Sequence, residues 1–506
     1  MTKKNKVTLM QHFLNIVEKG GNALPHPATL FLAFAVITLI LSWIAGILDW
    51  QVMHPATQEI IEAKNLLSTE GVRFILEKTV TNFTDFAPLG IVLVAMLGIG
   101  IAESSGLIGV VIRLLVLSAP TSLLTFVLVF SGILSNMASD IGYVLLIPMA
   151  GIIFIAVGRH PIVGMAAAFA GVSGGFSANL LLGTIDPLLA GLSQEAAQII
   201  DTDYIVNPTA NYYFMIVSTF VIAGIGTWVT EKIIAPRFGK YMPENGEDEK
   251  LERLTAYEKK GLLYSFLTFI LFLIIILIGI VPTDGILRGE GGSVLRSPLL
   301  HGVVTLLFVI AGSMGIVYGL TVKKFKNDAD IMQGMAESMK TLATYIVLVF
   351  FAAQFVAYFK ESNLGIILAV NGAETLKAAN LNIYVLMILF ILFAATINML
   401  MGSASAKWAI MAPVFIPIFM LMGFSPELSQ VVFRIGDSVT NIISPMMSFF
   451  ALIIAFFQKY DKKAGIGTII STMIPYSILF FIAWTVLLLG WIYFNIPLGP
   501  DSPIYL

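Results

Sequence analysis

Apolar residues run along this chain in long blocks, and the polar residues that interrupt them divide it into recognisable elements. A helix that crosses a bilayer needs about 20 apolar residues. Stretches of that kind occupy 28–48, 86–116, 162–190, 212–235, 261–281, 299–320, 343–360, 427–456 and 466–495, which predicts nine transmembrane helices. Two further apolar stretches, 121–157 and 382–421, are interrupted midway by small and polar residues. The interruptions are SNMASD, from Ser135 to Asp140, and GSASAK, from Gly402 to Lys407. Each stretch could be two spans or one re-entrant hairpin.

Charge separates these alternatives. With both stretches as hairpins, one side receives four basic residues of the N-terminal segment, Arg113, Arg159, and seven within 232–260. Lys323, Lys324, Lys326, Lys340, Lys459, Lys462 and Lys463 join them. The other side receives only Lys64, Arg73, Lys78, Arg288, Arg296, Lys360 and Lys377, and Lys407 and Arg434 stay within the membrane. Cytoplasmic loops carry the excess of Lys and Arg, so the hairpin reading is favoured. It puts the N-terminus in the cytoplasm and the C-terminus outside, with the two hairpins entering from opposite faces. Segment 1–27 is then a basic amphipathic surface helix, lacking the apolar core and small-residue cleavage site of a signal peptide. The charged stretch 236–260 has too few apolar residues to bury a core. It reads as a cytoplasmic linker between a first half, 28–235, and a second half, 261–506.

The two halves repeat each other. At an offset of 265, Asp140 pairs with Ser405, Tyr143 with Trp408, Pro148 with Pro413, Gly158 with Gly423 and Pro161 with Pro426. At 258, Glu103 pairs with Glu361, and at 262, Asn179 in SANLLLGTIDP pairs with Asn441 in GDSVTNIISP. Each half runs helix, hairpin with a polar tip, then a helix interrupted by Asn, Gly, Ser, Thr and Pro, and the predicted orientations are opposite. The expected fold class is therefore an all-α polytopic membrane protein: nine transmembrane helices plus two oppositely oriented re-entrant hairpins in an inverted-topology repeat, as in many secondary transporters.

Composition agrees. The 506 residues are 58% hydrophobic and 12% charged, against about 25% charged in soluble domains, so lipid must solvate much of the surface. No nucleic-acid partner is expected, although the net charge of −2 by itself says nothing about one, and the absence of Cys excludes disulfides and thiolate metal sites. No HExxH, GxSxG or P-loop sequence is present, which disfavours a membrane enzyme. A passive channel would lack an alternating-access repeat.

Candidate chemistry lies in the interruptions. Unwound backbone at membrane depth persists only inside protein or beside water. Half-helix N-termini there suit an anionic substrate, and loose carbonyls suit a small cation. Arg434 and Asp437, at i and i+3, share a helix face. They either form an ion pair that holds the broken helix, or Arg434 meets a substrate carboxylate while Asp437 supports it or binds the coupling ion. Asp186, before Pro187, is a helix cap or a proton or cation carrier, and Asp140 and Glu103 are further possible carriers. Trp408 is placed to stack on an aromatic substrate, beside the hydroxyls of Ser403 and Ser405. Lys407 should pair with a carboxylate or backbone. Carboxylates at Asp186 and Asp437 suit protons, whereas the Asn179 and Asn441 breaks suit sodium, so H+ and Na+ both remain open as coupling ions, with no cofactor.

GSASAKW, FRIGDSVTNIISP and SANLLLGTIDP, with nine spans and two hairpins, resemble the p-aminobenzoyl-glutamate transporter (AbgT) family over nearly the whole chain. The resemblance implies a homodimer in a bacterial inner membrane, each subunit carrying its own pathway. It implies ion-driven transport of p-aminobenzoyl-glutamate or export of sulfonamide-type antimetabolites. The matching family positions are Asp186, Ser405, Trp408, Pro426, Arg434, Asp437 and Pro445, with Pro426 and Pro445 setting the geometry of the break. A small anionic aromatic substrate fits an aryl ring on Trp408 and a carboxylate on Arg434. The alternative is a sodium-coupled dicarboxylate or other organic anion carrier, which the aromatic side chain disfavours.

Overall fold

A computed structural model describes residues 25–53, 59–137, 141–239, 254–295 and 297–506. Most of segment 1–27, the middle of the 236–260 linker, Arg296 and the candidate carrier Asp140 lie outside the described residues. The chain is mostly helical. In the first half the helices are α1 (Pro27–Ile47), α2 (Thr69–Thr84), α3 (Ala87–Ser105), α4 (Leu107–Leu117), α5 (Leu124–Ser135), α6 (Gly142–Ala156), α7 (Pro161–Gly174), α8 (Ile185–Ala197) and α9 (Tyr212–Phe238). The second half begins with α10 (Ala256–Ile280), α11 (Val303–Thr321), α12 (Asp328–Thr341), α13 (Ala343–Glu361) and α14 (Leu364–Ala378). It ends with α15 (Ile383–Leu400), α16 (Ala404–Leu421), α17 (Pro426–Asn441), α18 (Phe450–Gln458) and α19 (Ile466–Tyr493).

Among the described residues nine helices are long and apolar enough to cross a membrane. The number matches the sequence expectation, but the membership differs. Seven overlap predicted spans, although 86–116 is split at Gly106 into α3 and α4, and the other two are α15 and α16, the arms of the second interrupted stretch. The predicted spans 162–190 and 427–456 are each divided instead, into α7 and α8 and into α17 and α18. The dividing segments, 175–184 and 442–449, carry the Asn, Gly, Ser, Thr and Pro residues expected to interrupt them. The arms of the first interrupted stretch, α5 and α6, are shorter than a full crossing.

Three features escaped the sequence reading. A short antiparallel ribbon pairs Gln51–Met53 with Ile60–Glu62, so the chain is not strictly all-α. Helices α2 and α12 precede α3 and α13, and both are too polar to appear as apolar blocks. The order of elements from α3 to α9 recurs from α13 to α19. Gly158 and Gly423, 265 residues apart, both adopt left-handed φ (72° and 89°) after the second hairpin arm, a conformation costly for any residue with a Cβ. Pro161 and Pro426 then open α7 and α17 at the first helical position, where the missing N–H costs nothing.

Burial is graded from the outside inward. Helix α10 turns Phe266, Leu271, Ile274 and Ile278 outward and only 11% of its apolar window is enclosed, as expected for a helix bathed in hydrocarbon. Helix α17 is the opposite, with fifteen of its sixteen residues buried although it carries Glu427, Gln430, Arg434, Asp437 and Ser438. Buried polar groups require internal partners, so α17 is where the fold concentrates its polar network. The start of α5 is held separately, by Thr125 donating to Glu231 at 2.5 Å, and Glu231 also pairs with Arg159 at 2.7 Å.

The two halves also interlock through close helix crossings. Helix α3 packs on α11, where an added Cβ at Gly98 would fall on the backbone of Phe308 and one at Gly315 on that of Ala102. Gly98→Val should therefore separate the pair and destabilise the protein by about 1–3 kcal/mol. Thermal unfolding in detergent checks this, and an unchanged melting temperature would show that the crossing is looser than described.

Candidate functional site

Helix α17 forms the centre of the site because three other elements deliver charged, aromatic or amide groups to it. Ser425 caps its start by accepting from the Leu428 N–H at 3.1 Å. From there the helix presents Phe433, Arg434 and Asp437 to α8, α15 and α16.

The charged residues do not pair as their spacing suggested. Arg434 and Asp437 are neighbours on one helix, yet Arg434 turns to the first half and Asp437 to the second hairpin. Arg434 Nη2 lies 2.7 Å from Asp186 Oδ1, with both side chains almost wholly buried. Asp437 instead meets the ammonium of Lys407, which also donates to the side-chain oxygen of Asn398. The i, i+3 ion pair is thus replaced by two crossed pairs, because each partner arrives from another element and completes a charge the helix alone would leave exposed to hydrocarbon.

The Arg434–Asp186 contact is close but poorly aligned for hydrogen bonding. Arg434 Nε and Nη2 and Asp186 Oδ1 make no hydrogen bond, and the other carboxylate oxygen of Asp186 accepts from the Gly183 N–H at 2.7 Å. A guanidinium with unspent donors beside a cleft suits a second carboxylate. That cleft is lined by Ser177, Asn211, Phe214, Val431, Arg434 and Trp484 and is packed too tightly to hold water in this conformation.

Trp408 is enclosed as well. Its ring stacks on Phe433 with centroids 4.6 Å apart, and its indole N–H donates to Ser193 Oγ at 2.9 Å. Ser193 donates to Gln430 at 2.7 Å, Gln430 to Asn211 at 2.8 Å, and Asn211 to the Glu427 carbonyl at 3.0 Å. This chain of buried side chains runs from the second hairpin through α8 and α17 to the loop before α9. The ring face expected to meet a substrate is therefore covered by Phe433 in the conformation observed.

The remaining candidates are divided. Ser403 caps α16, accepting from Ala406 N–H at 3.3 Å, and its hydroxyl lies 3.2 Å from that of Ser405. Both are only half-buried, so the hairpin tip is more open than Trp408. Asn179 spends its side-chain oxygen on the Leu180 and Leu181 N–H groups, at 2.9 and 3.3 Å, a turn of the local backbone. Asn441 joins the Asp437 cluster, accepting from Asn398 at 2.9 Å. The first break is tied to α17 by the Ser177 N–H, which donates to Ser438 Oγ at 3.1 Å. Pro187 sits buried in the first turn of α8, and Pro445 lies in the non-helical break after α17. No group of three or more His, Asp or Glu residues suited to a metal occurs among the described residues.

Comparison with known proteins decides the family. The model of the "AbgT putative transporter family" matches residues 12–506. The chain belongs to the AbgT family. It is a membrane transporter and not an enzyme. This AbgT-family chain is 36% identical over 485 residues to the p-aminobenzoyl-glutamate transport protein of Escherichia coli (strain K12), covering 96% of this chain and 95% of that one. Its fold is similar to that of the Alcanivorax borkumensis YdaH transporter, whose topology is described as unusual. That match has a TM-score of 0.90 and 47% identity over 94% of this chain and all of the other. Neisseria gonorrhoeae MtrF, described as illuminating a class of antimetabolite efflux pumps, matches with a TM-score of 0.92. It is 51% identical over 97% of this chain and all of the other.

The sequence reading missed Asn398, Ser193, Gln430 and Asn211. Asn398 had a signal, being a lone amide deep in the apolar run before the second hairpin tip. The others lie in mixed segments where a polar side chain is unremarked until its partner is known.

The AbgT-family site makes a stability prediction. Arg434→Ala leaves Asp186 buried without a counter-charge and should cost about 3–5 kcal/mol. The double variant Arg434→Met/Asp186→Leu removes both charges and should recover much of that loss. Thermal unfolding of purified protein checks it, and equal losses in the single and double variants would contradict the pairing.

Proposed function

We propose that this transporter carries p-aminobenzoyl-glutamate and related aromatic antimetabolites across a bacterial inner membrane by ion-coupled alternating access. The observation that carries this reading is the buried Arg434–Asp186 pair, an arginine with unspent donors in a cleft lined by Phe214 and Trp484, while Trp408 stacks on Phe433, the residue before Arg434. Both features suit a substrate with an aryl group at one end and carboxylates at the other. The name of the Escherichia coli relative and the description of MtrF support the same substrate class.

The cycle begins with a cleft closed by the Arg434–Asp186 pair. A substrate carboxylate takes Asp186's place on Arg434, forming the bidentate contact that a guanidinium favours. Asp186 is then left with an uncompensated charge, which a proton or a sodium ion neutralises. Substrate and ion are thereby linked through one side chain, since each stabilises the state the other needs. The substrate ring displaces Phe433 from Trp408, and the half-helix N-terminus at Ser403 and Ser405 offers backbone N–H groups to the second carboxylate.

The remaining parts of the proposal concern assembly and orientation. The two halves form an inverted repeat with hairpins entering from opposite faces, the N-terminus lies in the cytoplasm and the C-terminus outside, and two subunits assemble as a homodimer. Flux of p-aminobenzoyl-glutamate into or out of proteoliposomes, under separately imposed pH and sodium gradients, tests substrate and coupling together. Saturable flux driven by one gradient is expected. Flux that never saturates would indicate a channel, and succinate as the preferred cargo would overturn the aromatic assignment.

Two variants test the roles of the charges. Arg434→Lys keeps a cation for Asp186 but loses the planar fork, so the protein should fold while transport falls to background. Asp186→Asn should leave substrate movement independent of the ion gradient. Wild-type flux in the first variant, or unchanged gradient dependence in the second, would remove these roles.

A further inference from the structure

Lys407 stands against the local rules of its helix. It lies in the N-terminal part of α16, close to the Ser403 cap, where the positive end of the helix dipole repels a cation. It is also completely buried, where a lone ammonium is expensive. Nothing about α16 itself favours Lys at this position, so the reason must lie in what the ammonium touches.

It touches two oxygens that arrive from two helix ends. Asn398 lies in the last turn of α15, and Asp437 lies four residues before the end of α17. Both oxygens are therefore supplied from the C-terminal parts of their helices, the ends that carry the negative dipole charge. Asn398 is held in place by the rest of the cluster. Its amide NH2 shares two protons among three acceptors, the Asp437 carbonyl at 2.7 Å, Thr440 Oγ1 at 2.8 Å and Asn441 Oδ1 at 2.9 Å. That commits its side-chain oxygen to Lys407. Asn441 in turn donates to the second carboxylate oxygen of Asp437 at 3.4 Å.

A carboxylate, an amide oxygen and two helix C-termini are the surroundings that broken-helix carriers offer to a sodium ion. Here a covalently held ammonium is already present. The arrangement belongs to one half only: at the 265 offset, Asn398, Lys407 and Asp437 correspond to Ile133, Gly142 and Val172.

We propose that Lys407 is a tethered cation, occupying the position that sodium would need at the second-half break, so that this break works without sodium. The proposal deepens the ion-coupled reading and rests on it for its place in transport. The tethered group fixes the charge at Asp437 throughout the cycle and leaves Asp186 as the carboxylate that exchanges its partner. Removing the Lys407 side chain should leave its oxygens facing a vacancy of the right charge for sodium.

The test compares thermal unfolding of purified full-length protein in sodium chloride and in choline chloride at equal ionic strength. It needs neither substrate nor gradient, so a wrong substrate assignment would leave its outcome unaffected. Wild type should unfold at the same temperature in both salts. Lys407→Ala should gain about 3 °C or more in sodium, and Lys407→Ala/Asn398→Ala should lose that gain. In proteoliposomes, flux through Lys407→Ala should become dependent on sodium. Recovery of Lys407→Ala as folded protein only in sodium would also support the proposal. A Lys407→Ala variant indifferent to sodium, or aggregated in both salts, would overturn it. So would a sodium-specific stabilisation of wild type that Asn398→Ala abolishes.

Discussion

Among the described residues Arg434 and Lys407 are buried against Asp186 and Asp437, and the arrangement of the central helices follows from how these opposite charges are brought together. Either pair alone would be a weak contributor to stability, because desolvating two ions consumes most of what their attraction returns. Their value is positional. Arg434 can be satisfied only if α8 of the first half lies against α17 of the second, and Asp437 only if the hairpin arm α16 does. The pairing therefore specifies how three elements meet, and a helix that slipped by one turn would strand a charge in hydrocarbon.

The same arrangement explains why the central helices are broken. A continuous α8 or α17 would spend its backbone groups internally and offer nothing at its ends. The break before α8 lets the Gly183 N–H bind Asp186, and Asn441, the last residue before the break after α17, completes the Asp437 cluster from one turn along the helix. The site is thus assembled from helix termini, whose unsatisfied groups and dipoles complement the charges placed beside them. Because the terminal groups hold on through a few polar contacts and not a packed apolar seam, this is also where two alternative pairings can exchange.

Much of this was legible in the sequence. Small and polar residues inside apolar blocks marked the turn between α15 and α16 and both breaks, since such residues are tolerated at membrane depth only for a reason. Asp186, Trp408, Arg434 and Asp437, chosen from those interruptions, lie on mutually packed elements. Their pairing was not legible. Helical spacing put Arg434 beside Asp437, and tertiary partners more than 20 residues away in the chain displaced that contact. Nor was the closed state of Trp408 foreseeable, because a sequence shows that an aromatic stands at a site but not what covers it. Helices α2 and α12 were missed for a simpler reason: neither is apolar, so neither interrupts the polar background of its loop.

The central claim is that substrate opens the cleft by replacing Asp186 on Arg434. The absence of cysteine allows a single reporter to be placed without altering the background. Ser177 lines the cleft, and only its backbone N–H is used in the contact with Ser438. The rate at which a water-soluble maleimide labels Ser177→Cys, with and without p-aminobenzoyl-glutamate, reads the state of that cleft directly. A substrate-dependent change in the rate that disappears in the Arg434→Lys background is the predicted result. A labelling rate indifferent to substrate, or a change that survives loss of the arginine, would contradict the account.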